Sequence, residues 1–340
     1  MIESNIIIQD WPNDSLETVT NCPYCGSVQR SLAYESVRDW SFNTAPGAWN
    51  YWNCTNCYSL YLDPRPNSQS IGSAYSRYYT HTQKKIGIKQ FIKSNVKNEC
   101  LSHWLNINLL PRIGLPDFMS WLLIPFKFFI RIPFDVNWLS SSIPMKLVDV
   151  GCGGGFTGQL ASLLGWQVMG IELDPVAAQS ARKKGLHVIN GDYNELEKYQ
   201  NEFDCLICSH VLEHVYEPLH MLSLLTSALK DHGVLILSLP NADSDLRHYF
   251  GKNWRGLEAP RHLSIPTLNQ IITLLKQLGY VDIEQHDIYE YTYLESLRIE
   301  KRRSKIPFKD YFFFNIKRFF MGPSFFKNSD CIQIIARKRS

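Results

Sequence analysis

In the second half of the chain the apolar positions gather into short runs separated by polar, glycine- and proline-bearing stretches. Leu147, Val148 and Val150 form the first run and Val168 to Ile171 the second, with His187 to Asn190 as a third. Asp204 to Cys208 and Gly233 to Leu239 follow, then Val281 to Ile288 and Cys331 to Arg337. Runs of this length, bounded by turn residues, predict buried strands. Helical stretches separate most of them: one after Gly155, one opened by Asp174-Pro175 with aspartate as cap and proline in the first turn, one from Pro218, and one over Pro266 to Leu278. Strands alternating with helices, the last two lacking a helical period between them, predict an α/β fold. The expected core is a doubly wound, mostly parallel seven-stranded sheet with one antiparallel strand.

The first strand carries the most informative chemistry. Lys146 to Asp174 reads KLVDVGCGGGFTGQLASLLGWQVMGIELD: strand, glycine-rich turn, helix, strand, and a carboxylate, Glu172, at the tip of the second strand. Glycines let the backbone approach a ligand, and the helix start offers unpaired N–H groups. A carboxylate about seventeen residues past the last glycine suits a grip on ribose hydroxyls.

The spacing Asp149-x-Gly151-x-Gly153-x-Gly155, followed by Glu172, resembles the nucleotide-binding motif of class I S-adenosylmethionine-dependent methyltransferases. It departs from the dinucleotide pattern because the third glycine comes one residue early. The resemblance implies S-adenosyl-L-methionine as cofactor, held by Asp149, Gly151, Gly153, Gly155, Glu172 and Leu173. An acid after the third strand, here Asp192 beside Tyr193, would then bond the adenine amino group. The competing readings are an NAD or FAD site and an α/β unit that holds no ligand.

Cysteines add a second feature. Cys22-x-x-Cys25 and Cys54-x-x-Cys57 can place four thiolates on one tetrahedral metal, with Gly26 freeing the backbone to fold back on the sulfurs. The expectation is one structural zinc, although the 28 residues between the pairs exceed the usual ribbon spacing; redox or plain thiols are the alternative. Trp40, Phe42, Trp49, Tyr51 and Trp52 between the pairs read as the core of that small module. Cys205 and Cys208 stand three apart on a strand, so they face opposite ways and read as core.

Two loops carry histidine. His210-Val211-Leu212-Glu213-His214 follows the fourth strand, and Trp254 to Leu263, WRGLEAPRHL, follows the fifth. His214 and His262 are the candidate general bases, with His210 beside them, because imidazole accepts a proton near neutral pH. The alternative for each is a loop-packing role. The first string resembles a segment of ubiquinone-pathway O-methyltransferases, in which the matching residues are metal ligands; that implies a second divalent ion, an expectation weakened by His210 standing where that group has Glu. The zinc pairs, the Tyr75, Tyr78, Tyr79, His81 segment and the P-R-H-L string resemble methyltransferases of bacterial polysaccharide and sugar pathways, which adds Tyr79 and His81 as cofactor-lid residues.

Composition limits the partners. Net charge is +3 with 45% hydrophobic and 20% charged residues, a globular profile that does not point to nucleic acid. Met1 to Asp10 has no signal-peptide pattern, so the expected location is cytoplasmic. Residues 101–140 and the insertion Arg298 to Asn328 mix basic and aromatic residues, which fits either a packed cap or peripheral contact at the inner face of a membrane. Pro116, Pro125 and Pro133 exclude a spanning helix there.

The reading is thus a zinc-binding module over 1–66, a helical, aromatic lid or membrane-proximal segment over 67–145, and a cofactor-binding catalytic domain over 146–340 with its insertion at 298–328. The expected function is methylation of a small acceptor: a sugar, nucleotide-sugar or lipid-linked glycan, at oxygen before carbon. The rivals are an RNA methyltransferase gripping RNA through the zinc module, and a non-catalytic cofactor-binding protein at a membrane.

Overall fold

The computed structural model describes residues 11–75, 88–128, 130, 132–288, 292–307, 309–314 and 328–340. Thirteen strands are present among them: β1 (Leu16–Glu17), β2 (Arg30–Val37), β3 (Trp49–Cys54), β4 (Leu60–Leu62), β5 (Arg65–Pro66), β6 (Lys146–Val150), β7 (Gln167–Glu172), β8 (His187–Asn190), β9 (Phe203–Ser209), β10 (Leu229–Pro240), β11 (Ser264–Ile265), β12 (Tyr280–Ile288) and β13 (Cys331–Lys338). Eight helices run α1 (Ile88–Leu105), α2 (Phe134–Ser140), α3 (Phe156–Leu163), α4 (Pro175–Arg182), α5 (Pro218–Ala228), α6 (Asp245–Phe250), α7 (Leu268–Gln277) and α8 (Thr292–Glu300).

The seven expected strands form one sheet in the order β12-β13-β10-β9-β6-β7-β8. β6, β7 and β8 pair in parallel register, while β12 and β13 are antiparallel as expected; the connection between them, read from the sequence as lacking a helical period, contains α8. β10 starts at Leu229, four residues before the run read from the sequence.

Contacts divide the chain into two compact units. One takes the described residues of Met1–Tyr78, Cys208–Thr226 and Leu235–Ser340; the other takes those of Tyr79–Ile207 and Ser227–Val234.

In the second unit, α4 and the strands beneath it close a small core of Cys152, Ala178, Ala181, Leu186 and Val188. The Asp174 carboxylate accepts the Val176 N–H at 2.9 Å and Pro175 opens α4, as its sequence predicts. A second cluster, Leu101, Leu105, Leu109, Val136 and Leu160, seats α1 and α2 on α3.

In the first unit, β2, β3 and β4 form a four-stranded sheet whose fourth member is β11, more than two hundred residues further along the chain. Trp49, Tyr51, Leu60, Leu62, Trp254 and Leu257 pack in its core. Trp49 and Tyr51 are therefore core, as read from the sequence, while Trp40, Phe42 and Trp52 are half-buried, Trp52 lying 4.1 Å beneath the Arg30 guanidinium. Cys205 and Cys208 on β9 are both fully buried.

Candidate functional site

The loop after β6 folds by turning its N–H groups onto β7. The amides of Gly151 and Cys152 both donate to the Ile171 carbonyl, at 2.8 and 3.1 Å. Gly151, Gly153 and Gly155 have φ of 73°, 53° and 73°, the left-handed region that favours glycine. Gly155 is doubly constrained, since a Cβ there would meet the Ala181 Cβ at 2.7 Å and Leu186 at 2.6 Å. A Cβ on Gly153 would meet nothing within 4 Å, so the loop surface is open at that point.

Glu172 holds this loop. One carboxylate oxygen accepts the Gly153 N–H at 2.7 Å and the other accepts the Asp174 N–H at 2.8 Å. Each oxygen carries two lone pairs, so one on each remains for a ligand hydroxyl. Burial raises the Glu172 pKa, the backbone donors opposing the shift. Asp149, buried at the end of β6, is pushed up to about 8 by burial first and then by Asp135 and Glu172. Leu173 follows Glu172 with its side chain 71% exposed, an apolar surface beside a polar grip. Asp192 is exposed and caps the turn ahead of it, accepting the Asn194 N–H at 2.9 Å, and Tyr193 next to it is half-buried. These residues form one continuous loop-and-strand-end system in the second unit. Tyr79 and His81 lie outside the described residues.

The histidines assemble in the first unit. His210 does not begin a helix; it has φ of 56° and leads into a short 3-10 turn, Leu212–His214. His210 Nδ1 lies 3.2 Å from Glu213 Oε1. Glu213 has no exposed surface, and its Oε2 has no hydrogen-bond partner among the described residues. The Glu213 backbone carbonyl accepts the Leu263 N–H at 2.8 Å, which draws the loop carrying His262 against the turn carrying His214. The two imidazoles meet edge to face with centroids 4.7 Å apart.

Their tautomers follow from their partners. His214 Nδ1 lies 3.0 Å from the Arg261 carbonyl and 3.0 Å from the Tyr75 hydroxyl; His262 Nδ1 lies 2.7 Å from the Gly256 carbonyl. A carbonyl only accepts, so in both rings Nδ1 carries the proton and Nε2 keeps a lone pair. His262 is buried, which together with His214 holds its pKa well below the ordinary imidazole value. Glu213, His214 and His262 each offer one ligand atom within 4.8 Å of the others, so this donor set can hold a metal ion.

The loop around His262 is anchored by contacts that the sequence did not reveal. Arg261 is fully buried and makes a double hydrogen bond to Asp39, at 3.0 and 2.7 Å. Tyr51 directs its hydroxyl at the carbonyls of Leu257 (2.5 Å) and His262 (2.8 Å). The P-R-H-L string contained Arg261, but nothing in the sequence tied it to Asp39.

The four cysteines converge as their spacing predicts. Cys22 Sγ lies 3.5 Å from Cys57 Sγ, and Cys25 Sγ 3.5 Å from Cys54 Sγ, with all four sulfurs within 4.8 Å of one another. Sulfurs about 2.3 Å from a tetrahedral zinc would be about 3.8 Å apart, so the donor set fits that ion. Both turns are built alike. Gly26 N–H donates to the Cys22 carbonyl and Tyr58 N–H to the Cys54 carbonyl, each at 2.9 Å. Tyr58 takes φ of 60°, the position Gly26 fills with φ of 71°. A hydrogen bond with Cys22 lowers the pKa of the Cys57 thiol, and Ser59 lies 3.2 Å from that sulfur.

Strand order, glycine loop and strand-tip carboxylate define a Rossmann-like methyltransferase fold. Residues 135–285 match the family model described as a methyltransferase domain. Similar relatives include the ubiquinone biosynthesis O-methyltransferase of Xanthomonas campestris, 37% identical over 119 residues, or 32% of this chain and 50% of that protein. The enzyme of the same name from Pasteurella multocida is 33% identical over 131 residues, 33% and 53% of the two chains. This chain thus spans about half the length of the curated relatives it matches. A solved S-adenosylmethionine-dependent methyltransferase from Archaeoglobus fulgidus aligns at 19% identity with a TM-score of 0.43, over 64% of this chain and 99% of that one.

Proposed function

We propose that this protein transfers the methyl group of S-adenosylmethionine to a small acceptor: a sugar, a nucleotide sugar or a lipid-linked glycan, at an oxygen atom. The observation that carries the cofactor assignment is Glu172, which fixes the glycine loop through Gly153 while keeping a lone pair on each oxygen for a ribose hydroxyl. Oxygen as the acceptor atom is supported by the relatives, which are named O-methyltransferases. A sugar acceptor is supported by the zinc pairs and the P-R-H-L string, which resemble polysaccharide-pathway enzymes. The four cysteines are assigned one structural zinc.

Bound S-adenosylmethionine supplies a methyl group on a sulfonium, which leaves as a thioether without further activation. The protein's share is therefore placement of the acceptor in line and removal of its proton. His214, half-buried and with its Nε2 lone pair set by the Arg261 carbonyl, is the base; His262, buried and of depressed basicity, packs beside it. The acceptor's hydroxyl proton would pass to Nε2 of His214 as its oxygen takes the methyl group.

The test is native mass spectrometry of the purified protein for co-purified ligand, followed by methyl transfer to sugars, nucleotide sugars, glycolipids, catechols and RNA. S-adenosylmethionine or its demethylated product on the protein, and a methylated sugar hydroxyl, are expected. Turnover only on RNA, with binding that falls steeply with salt, would replace the sugar reading. Cofactor binding without turnover on the panel would favour a non-catalytic role.

A further inference from the structure

In the second unit, a row of large apolar side chains stands out from the segment after α1. Residues Asp117–Phe128 form a 3-10 helix, which turns once every three residues. Phe118, Trp121 and Ile124 therefore line up along one face, and they are 80%, 63% and 62% exposed. Leu110 and Ile113, in the loop before it, are exposed to a similar degree, whereas Leu123 is buried and seats the helix. Together these side chains leave on the order of 500 Å² of apolar surface in water, as large as the largest patch on a typical monomer.

The loop that presents this row is held firmly. Glu99, with no exposed surface, accepts the N–H groups of Gly114 (2.6 Å) and Leu115 (2.9 Å) and pairs with His103 at 3.0 Å. Asn98 donates to the Pro111 carbonyl at 2.9 Å. Asp117 lies 3.4 Å from His103 Nδ1, and Arg112 lies 3.8 Å from Glu99. A buried carboxylate thus organises the backbone so that apolar side chains point away from the protein.

We infer that the Phe118, Trp121 and Ile124 face inserts into the surface of an anionic phospholipid membrane. Charge points to that occupant. From Leu105 to Phe134 the sequence carries three basic residues, Arg112, Lys127 and Arg131, and a single acid, Asp117, which sits against His103. Aromatic and aliphatic rows flanked by cations suit the interface, where rings lie at headgroup depth and cations meet lipid phosphate. Among the described residues no helix is long and apolar enough to cross a membrane, so the contact is with one leaflet. The inference does not depend on the proposed reaction.

The test is co-sedimentation of the full chain with vesicles of phosphatidylcholine, with and without phosphatidylglycerol. The wild type is expected to bind the anionic vesicles, less at high salt. The triple variant Phe118→Ser, Trp121→Ser, Ile124→Ser should lose about tenfold or more of that affinity. Its melting temperature and its calorimetric S-adenosylmethionine affinity, measured in parallel, should stay at wild-type values, which separates loss of docking from loss of fold or of the cofactor site. Wild-type protein that stays in the supernatant with both vesicle types would overturn the inference, as would a triple variant that binds like wild type. A wild-type dimer that the triple variant dissolves, without vesicle binding, would assign the face to a second copy instead.

Discussion

Asp39 and Arg261 stand 222 residues apart in sequence, yet their side chains form a doubly bonded ion pair with essentially no exposed surface. The same carboxylate accepts N–H groups from Phe42, Thr44 and Ala45, and the Arg261 carbonyl fixes the tautomer of His214. One pair therefore joins the N-terminal module to the loop that orients the candidate base.

Asp39→Ala should destabilise the protein by about 3–5 kcal/mol, because it strands a buried guanidinium. Burial alone would raise the Asp39 pKa, but Arg261 and the backbone donors outweigh it and hold it below its ordinary value of 3.8. The pair's contribution is thus present above that value and lost as pH falls through the lower, folded-state one. Denaturant titration should show this acid loss in the wild type, and Asp39→Asn should lack it. A variant as stable as wild type would remove the pair from the account.

Asp149 has the opposite sign. Its carboxyl ionises at about 8 in the folded chain and near its ordinary value of 3.8 in the unfolded one. Wild-type stability should therefore decline as pH rises from about 4 to 8 and level off above. Asp149→Asn carries no such proton, so its stability relative to wild type should climb across that window. Equal stability of the two proteins at every pH would contradict it.

The cysteine cluster should carry one zinc per chain. Cys54→Ser should release the metal and lower the melting temperature, because site and local fold form together. Metal analysis well below one equivalent, with a melt unchanged by chelator, would refute the assignment.

His214→Ala should lower turnover by about 10²–10⁴-fold with cofactor affinity unchanged. His262→Ala should also lower the melting temperature, since it empties a buried site and leaves the Gly256 carbonyl without its donor. Full activity in both variants would leave placement alone to explain the reaction.

The parts legible in the sequence are those whose partners are local. The glycine loop, the strand before it, the Asp174 cap and Glu172 lie within thirty residues, and spacing alone places them. The two CxxC turns are likewise local, and tetrahedral geometry joins them. Asp39 with Arg261, Tyr51 with the His262 loop, and β11 with β4 are pairings across roughly two hundred residues, which no periodicity encodes. The spacing of His210 and His214 does not reveal the positive φ of His210, which precedes the 3-10 turn Leu212–His214 and is a tertiary outcome. The stretch over 101–140 read as either a packed cap or a membrane face, because hydrophobicity alone does not say which side chains find partners.

Calorimetric titration of S-adenosylmethionine into wild type and Glu172→Ala tests the central claim most directly. The account predicts one site on the wild type. In the variant the affinity should fall about tenfold to a thousandfold, since a charge-assisted pair of contacts is lost and Gly153 is released from its anchor. The variant should still melt cooperatively. Unchanged affinity in Glu172→Ala, or no binding by folded wild type, would contradict the account.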